Sequence, residues 1–262
     1  MAAFWDAVEI NEGDCRLWQA GPLRLWVRQV GEEWHVATES ANEKEKFPDI
    51  ISGETTAVPE DAQWQRWMGR GVEHVVQLSP LMPDRAVVVR PEMPLHMAYG
   101  QKEMFFVNIP LWIRVVAGKG KKITICEQAS QTLSNTWFGL PVQGELCYAL
   151  NTKARTGIEE IAPNPLTAVC PLVISNLYKE PLNFERLCIR TDHLSIYETE
   201  NGLITNEVRV IYQGEEQMSR IKYGKKPPAL AEGSKRVADP RKPIENNLIR
   251  KSFNNFMQSF EA

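Results

Sequence analysis

Between Val72 and Tyr223 the chain repeats one pattern: short runs of alternating apolar and polar residues, rich in β-branched and aromatic types, each closed by a turn signal. A period of two puts every second side chain on one face of an extended strand. Residues 73–78, 86–90, 104–109, 111–116, 122–126, 145–150, 168–175, 185–190, 194–198, 206–212 and 218–223 read this way. No amphipathic stretch of helical length separates them. That argues against a parallel α/β layout and for a mainly β fold, an antiparallel β-sandwich over residues 81–223. Gly118-Lys119-Gly120 and Asn201-Gly202 supply hairpin turns.

The opening segment carries the same signal. Runs at 15–20, 23–29 and 33–38 are separated by Gly21-Pro22 and Gly31-Glu32, which predicts a three-stranded β-meander. Leu23, Leu25 and Val27 share one face, and Arg24, Trp26 and Arg28 share the other, expected wet, face. Pro59, Glu60 and Asp61 suit the first turn of a short helix running to Met68, and Gly69 suits its end. Six of the eight tryptophans fall in residues 1–67, so residues 1–80 read as a module of their own.

After the last strand, residues 224–243 mix proline, glycine and charge without periodicity and read as a linker. In residues 244–262, Ile249, Phe253, Phe256 and Phe260 recur at spacings of 4, 3 and 4, with Leu248 beside them. This predicts a C-terminal amphipathic helix opened by Pro243. Such a helix either docks on its own domain or, from a long linker, grips a protein partner or a second copy through Leu248, Ile249, Phe253, Phe256 and Phe260.

Charge limits the partners. The net charge is −3, which gives no general attraction to nucleic acid. Residues 1–80 carry 7 basic and 14 acidic side chains, whereas residues 218–262 carry 10 and 4, so the basic end could meet an acidic surface. No run approaches the length of a membrane span, and the first residues lack a basic, apolar leader. The five cysteines are odd in number and form no CxxC pair, which argues against a disulfide framework or a zinc ribbon. Cys126, Cys147 and Cys188 read as buried thiols in strands. A cytoplasmic location is expected.

The motifs of catalysis are missing. Gly118-Lys119-Gly120 lacks the third glycine and following helix of a dinucleotide site. Ser219 and Lys222 match S-x-x-K, but in a strand they point to opposite faces. His35, His74, His96 and His193 lie 39, 22 and 97 residues apart, without metal-ligand spacing. The adjacent acids Glu159 and Glu160 diverge in an extended chain. No catalytic residue, metal or cofactor is therefore expected.

The densest mixed segment is 133–155. Asn135, Trp137, Glu145, Tyr148 and Arg155 combine stacking area with hydrogen-bonding and charged groups at a loop–strand junction, as a small-molecule site needs. The packing alternative is an aromatic corner with Glu145 paired to Arg155. Two functions are open. One is a non-catalytic binding or scaffold protein acting through loops at the end of the sandwich and the basic tail. The other is a hydrolase or carbohydrate-active enzyme whose carboxylates and aromatics converge from distant strands; a desolvated Glu145 near a second acid would favour it.

This segment, with Trp18-Gln19-Ala20-Gly21-Pro22-Leu23 and Val169-Cys170-Pro171-Leu172-Val173-Ile174-Ser175-Asn176, resembles a prokaryotic family of uncharacterised proteins, a domain of unknown function. The resemblance spans about residues 15–223 and leaves the tail outside. It implies no reaction, cofactor or catalytic residue.

Overall fold

The computed structural model describes residues 2–41, 50–92, 94–162, 164–214, 218–244 and 246–254. The chain forms two compact units. One comprises Met1–Leu81, Pro110–Thr132 and Asn164–Leu166; the other comprises Met82–Ile109, Leu133–Pro163 and Thr167–Ala262.

Among the described residues, the first unit holds two antiparallel sheets. In the first sheet, Ile50–Glu54, Cys15–Ala20, Leu23–Val30, Glu33–Ser40 and Gln65–Met68 lie side by side in that order. The meander is tight because Ala20 pairs with Leu23 and Val30 with Glu33, leaving two-residue turns. Gly21 and Gly31 take φ of +56° and +58°, which only glycine adopts without a Cβ penalty. The second sheet runs Val8–Glu9, Val75–Leu81, Trp112–Ala117, Ile123–Ala129. Its alternate residues Val76, Leu78, Ile113, Val115 and Ile125 pack with Trp18, Leu25, Val27 and Trp34 of the first sheet into one core. Arg114, on the other face of its strand, pairs with Glu127 at 2.8 Å. The face expected to be wet is covered in part. Trp26 is buried and its indole donates to the Ala57 carbonyl at 3.2 Å, while the Arg28 guanidinium lies 4.0 Å from the Trp64 ring centre.

A strand, Gln65–Met68, stands where the sequence suggests a helix from Pro59 to Met68. Its backbone completes the ladder on Glu33–Ser40, with Trp34 opposite Trp67 and His35 opposite Arg66. Arg66 also holds the Glu33 carboxylate with two hydrogen bonds, of 2.7 and 2.6 Å, and His35 Nε2 lies 2.9 Å from the same group. The Arg66 bonds first, then His35, pull the Glu33 carboxyl down to about 2. A carboxyl lowered on folding stabilises the protein above its unfolded pKa, and that contribution is lost as pH falls through about 2. The expected result is a Glu33 titration midpoint near 2 by carboxylate NMR, rising toward the ordinary 4.5 in Arg66→Gln. An unmoved midpoint would contradict the pairing.

The second unit departs further from expectation. Its larger sheet orders Lys235–Ala238, Ile196–Thr199, Gly202–Thr205, Thr167–Asn176, Val208–Tyr212, Met218–Tyr223 and Asn246–Lys251, with Lys102–Pro110 also paired to Thr167–Asn176. Its smaller sheet orders Ser134–Phe138, Glu145–Ala154, Val87–Pro91, Arg186–Ile189 and Phe253–Asn254. Leu95–Met97 and Leu182–Phe184 form a separate antiparallel pair. The expectation of a purely antiparallel sandwich is corrected by three parallel pairings: Glu145–Ala154 with Val87–Pro91, and Thr167–Asn176 with both Gly202–Thr205 and Val208–Tyr212. Crossovers made of strands rather than helices return the chain in the same direction.

Thr167–Asn176 is central and largely buried on both faces, so its sequence is a nearly continuous apolar run. Pro171, which has no N–H, sits where the ladder changes partner. Val169 pairs with Ile204 and Leu172 with Val208, so the partner chain gains one residue there.

The C-terminal amphipathic helix is also corrected. Asn246–Lys251 is a strand antiparallel to Met218–Tyr223, placing Ile249 opposite Arg220 and Leu248 opposite Ile221. Phe253, in Phe253–Asn254, is 1% exposed and its ring meets Tyr212 edge-on at 6.0 Å. The free edge of Met218–Tyr223 offers a ladder of backbone hydrogen bonds that outweighs the helical spacing of the apolar residues. Phe256 and Phe260 lie outside the described residues. Residues 224–243, read as a linker, contribute the strand Lys235–Ala238. There Lys242 pairs with Asp192 at 2.9 Å, Arg241 Nε donates to the Met82 carbonyl at 2.7 Å, and the His193 ring donates to the Pro243 carbonyl at 2.7 Å. Among the described residues no helix is long and apolar enough to cross a membrane.

Candidate functional site

The long strand Glu145–Ala154 is irregular in its second half. Tyr148 and Ala149 pair with Val87 and Val88, but Lys153 and Ala154 pair with Arg90 and Pro91. Three residues, 150–152, therefore oppose the single Val89. A bulge of this kind bends a strand and re-aims its side chains. Beyond it the chain bridges to the Lys102–Pro110 strand. The Phe106 N–H donates to the Arg155 carbonyl at 2.7 Å, the Arg155 N–H to the Phe106 carbonyl at 3.1 Å, and Thr152 Oγ1 to the Asn108 carbonyl at 3.0 Å.

These strands wall a cleft of about 400 Å³ lined by Glu92, Asn108, Asn151, Thr152, Lys153, Arg155, Glu160, Ile161 and Ala162. Asn151, Lys153 and Arg155 alternate along the chain. The short turn Ile158–Glu160 brings Glu160 within 3.5 Å of the Arg155 guanidinium, both side chains being about 40% exposed. Asn108 Oδ1 is buried and has no hydrogen-bond partner among the described residues. Native folds rarely leave such an acceptor unpaired.

Of the five residues expected at a ligand site, Arg155 alone lines this cleft. Asn135 and Tyr148 are paired across Ser134–Phe138 and Glu145–Ala154, and Arg85 joins them: its Nη1 donates to Asn135 Oδ1 at 3.2 Å, and its guanidinium stands 5.3 Å from the Tyr148 ring centre. The Tyr148 hydroxyl donates to Asp84 at 2.9 Å; burial first, then this bond, raises its pKa. Trp137 is 46% exposed and its indole donates to the Leu140 carbonyl at 3.0 Å. Glu145 is held by Arg190, not Arg155. Nearly the whole strand Glu145–Ala154 lies between Glu145 and Arg155, so even with its bulge the two do not meet.

Around Glu145 a different group collects. Cys147 and Cys188 are buried beside it, and the Cys188 thiol lies 3.8 Å from Glu145 Oε1. A hydrogen bond from Cys188 holds the Cys147 thiol below its ordinary value, and Arg190 and Arg186 act in the same direction. That bond, together with burial, holds Cys188 well above. Elsewhere burial pushes Cys126 up to about 11 and Cys170 up to about 12.

The signal that could have located the cleft was present. Asn108 interrupts the apolar run Met104-Phe105-Phe106-Val107-Asn108-Ile109, and Asn151, Lys153 and Arg155 repeat at a spacing of two. What local pattern could not show is that these two strands adjoin.

Fold and site define a mainly β protein of two units, with a polar cleft built on a bulged strand in the second. The chain belongs to the family described as "Protein of unknown function (DUF432)", whose model matches residues 4–258. The match takes in the described C-terminal strands, which the sequence resemblance had left outside. No curated protein and no solved structure matches the chain.

Proposed function

We propose that the protein is a non-catalytic binding protein that holds a small hydrophilic ligand in the cleft at Asn108, Asn151, Lys153 and Arg155. The observation that carries this reading is the cleft of about 400 Å³ that brings Asn108, Asn151, Lys153 and Arg155 together from two segments of the chain. The volume suits a small molecule. Two cations, Lys153 and Arg155, and two carboxylates, Glu92 and Glu160, line it, so a ligand of balanced charge fits: a sugar, a polyol or an amino acid. A cytoplasmic setting suits five cysteines that form no disulfide.

The hydrolase reading gains no support from the geometry. Glu145 is 42% exposed, ion-paired with Arg190 and flanked by thiols rather than by a second acid. Glu92 and Glu160 are exposed.

Thermal-shift measurements of the full chain against sugars, polyols and amino acids test the proposal. A ligand at about one hundred times its Kd adds about 2.7 kcal/mol. The shift is expected to vanish in Asn108→Leu and to shrink in Lys153→Ala, while the ligand-free melting temperature of both stays near wild type. No shift with any compound, or an equal shift in both variants, would contradict it.

A further inference from the structure

Cys147 and Cys188 are far apart in sequence and sit on strands that are not neighbours. The order Glu145–Ala154, Val87–Pro91, Arg186–Ile189 places a whole strand between them. Tyr148 N–H donates to the Ala86 carbonyl at 2.9 Å, and Cys188 is registered opposite Val88. The thiols thus approach each other across Ala86 and Val88, in a buried cluster closed by Phe138. Neighbouring strands are spaced about 4.8 Å apart, so the two Cα atoms are separated by roughly 9.6 Å or more. A disulfide needs a Cα separation of at most about 6.8 Å. The pair cannot close an S–S bond without opening the sheet.

A bridging ion has the required reach. The two sulfurs and a Glu145 oxygen all lie within 4.8 Å of one another, and Cys188 Sγ is 3.8 Å from Glu145 Oε1. A tetrahedral ion with bonds of about 2.3 Å to sulfur and about 2.1 Å to oxygen sets its donors roughly 3.5–3.8 Å apart. Two soft sulfurs and one carboxylate are a donor set of the zinc type. Glu145 is partly exposed, so the fourth ligand of a tetrahedral ion would come from solvent. Arg190, itself largely buried, donates to the same Oε1 and would hold the carboxylate in place, as residues behind metal ligands do.

We infer that Cys147, Cys188 and Glu145 form a binding site for one thiophilic divalent cation of the zinc type, separate from the polar cleft. Both thiols lose their protons to the solvent as the ion binds, so uptake releases protons.

The experiment titrates zinc alone into the reduced, metal-stripped full chain in competition with a chromophoric chelator, and repeats the titration with cobalt. Cys15 and Cys126, both partly exposed, are replaced by serine beforehand to remove the other accessible thiols, leaving only the buried Cys170 outside the site. One equivalent of zinc and a thiolate-to-cobalt charge-transfer band are expected. Both are lost in Cys147→Ser and in Cys188→Ser, and Glu145→Gln binds about tenfold more weakly. Since buried substitutions can unfold the chain, a second readout uses the unsubstituted protein: with the partly exposed Cys15 and Cys126 blocked by alkylation and the buried Cys147 and Cys188 left free, the cobalt charge-transfer band should still form. Absence of a stoichiometric equivalent, retention of it in both cysteine variants, or loss of the cobalt band once Cys15 and Cys126 are alkylated would overturn the inference.

Discussion

Replacing Phe253 by alanine is expected to destabilise the second unit by about 3–5 kcal/mol, the range for deleting a fully buried aromatic side chain. Phe253 is 1% exposed and packs edge-on against Tyr212, and its strand closes the smaller sheet by pairing Phe253 with Leu187. The backbone around it is tied down as well, since the Cys188 N–H donates to the Ser252 carbonyl at 2.9 Å. Cutting the chain after Pro243 removes both this strand and the Asn246–Lys251 ladder, and should lower stability further. Urea denaturation followed by circular dichroism reads the effect. A dispensable arm reaching for a partner would leave the midpoint unchanged in both cases, and that result would contradict the placement of residues 246–254.

The second large effect is expected at Asn206. Its side chain is fully buried at the break between Gly202–Thr205 and Val208–Tyr212. Oδ1 accepts the Ser195 N–H at 2.7 Å, and Nδ2 donates to the Gly224 carbonyl at 2.8 Å and the His193 carbonyl at 3.5 Å. The amide satisfies backbone groups that the interrupted ladder leaves over. Asn206→Leu keeps the volume but strands one donor and two acceptors, at about 1–3 kcal/mol for each unsatisfied group. A loss of about 3–5 kcal/mol in urea denaturation is expected. A loss below about 1 kcal/mol, the level of an ordinary surface substitution, would contradict the bonding described.

Much of the fold was legible where strands carry their own signal. The meander at 15–38 and the alternating runs from 73 to 223 fall on or near strands because alternation reports burial of one face directly. Illegible were the features fixed by partners distant in sequence. The continuous apolar run of Thr167–Asn176 signals a strand buried on both faces, but nothing local shows that its parallel partner is Gly202–Thr205. The tail shows helical spacing, yet an open sheet edge claims it. At Pro59 the local helix-start signal was outweighed by the unpaired edge of Glu33–Ser40. The cleft was half legible: Arg155 is among the residues the sequence picks out, while Asn108 sits inside the strand run 104–109 with nothing local to mark it. Cys147 and Cys188 read as ordinary core thiols because 40 residues of chain lie between them.

Ligand occupancy of the cleft is tested most directly by backbone NMR of the full chain with the strongest thermal-shift compound. Amide shifts should concentrate at residues 106–108 and 151–160, with the Asn108 side-chain amide moving most. Perturbations gathered instead around Arg85, Asn135 and Tyr148, or spread evenly over both units, would contradict it.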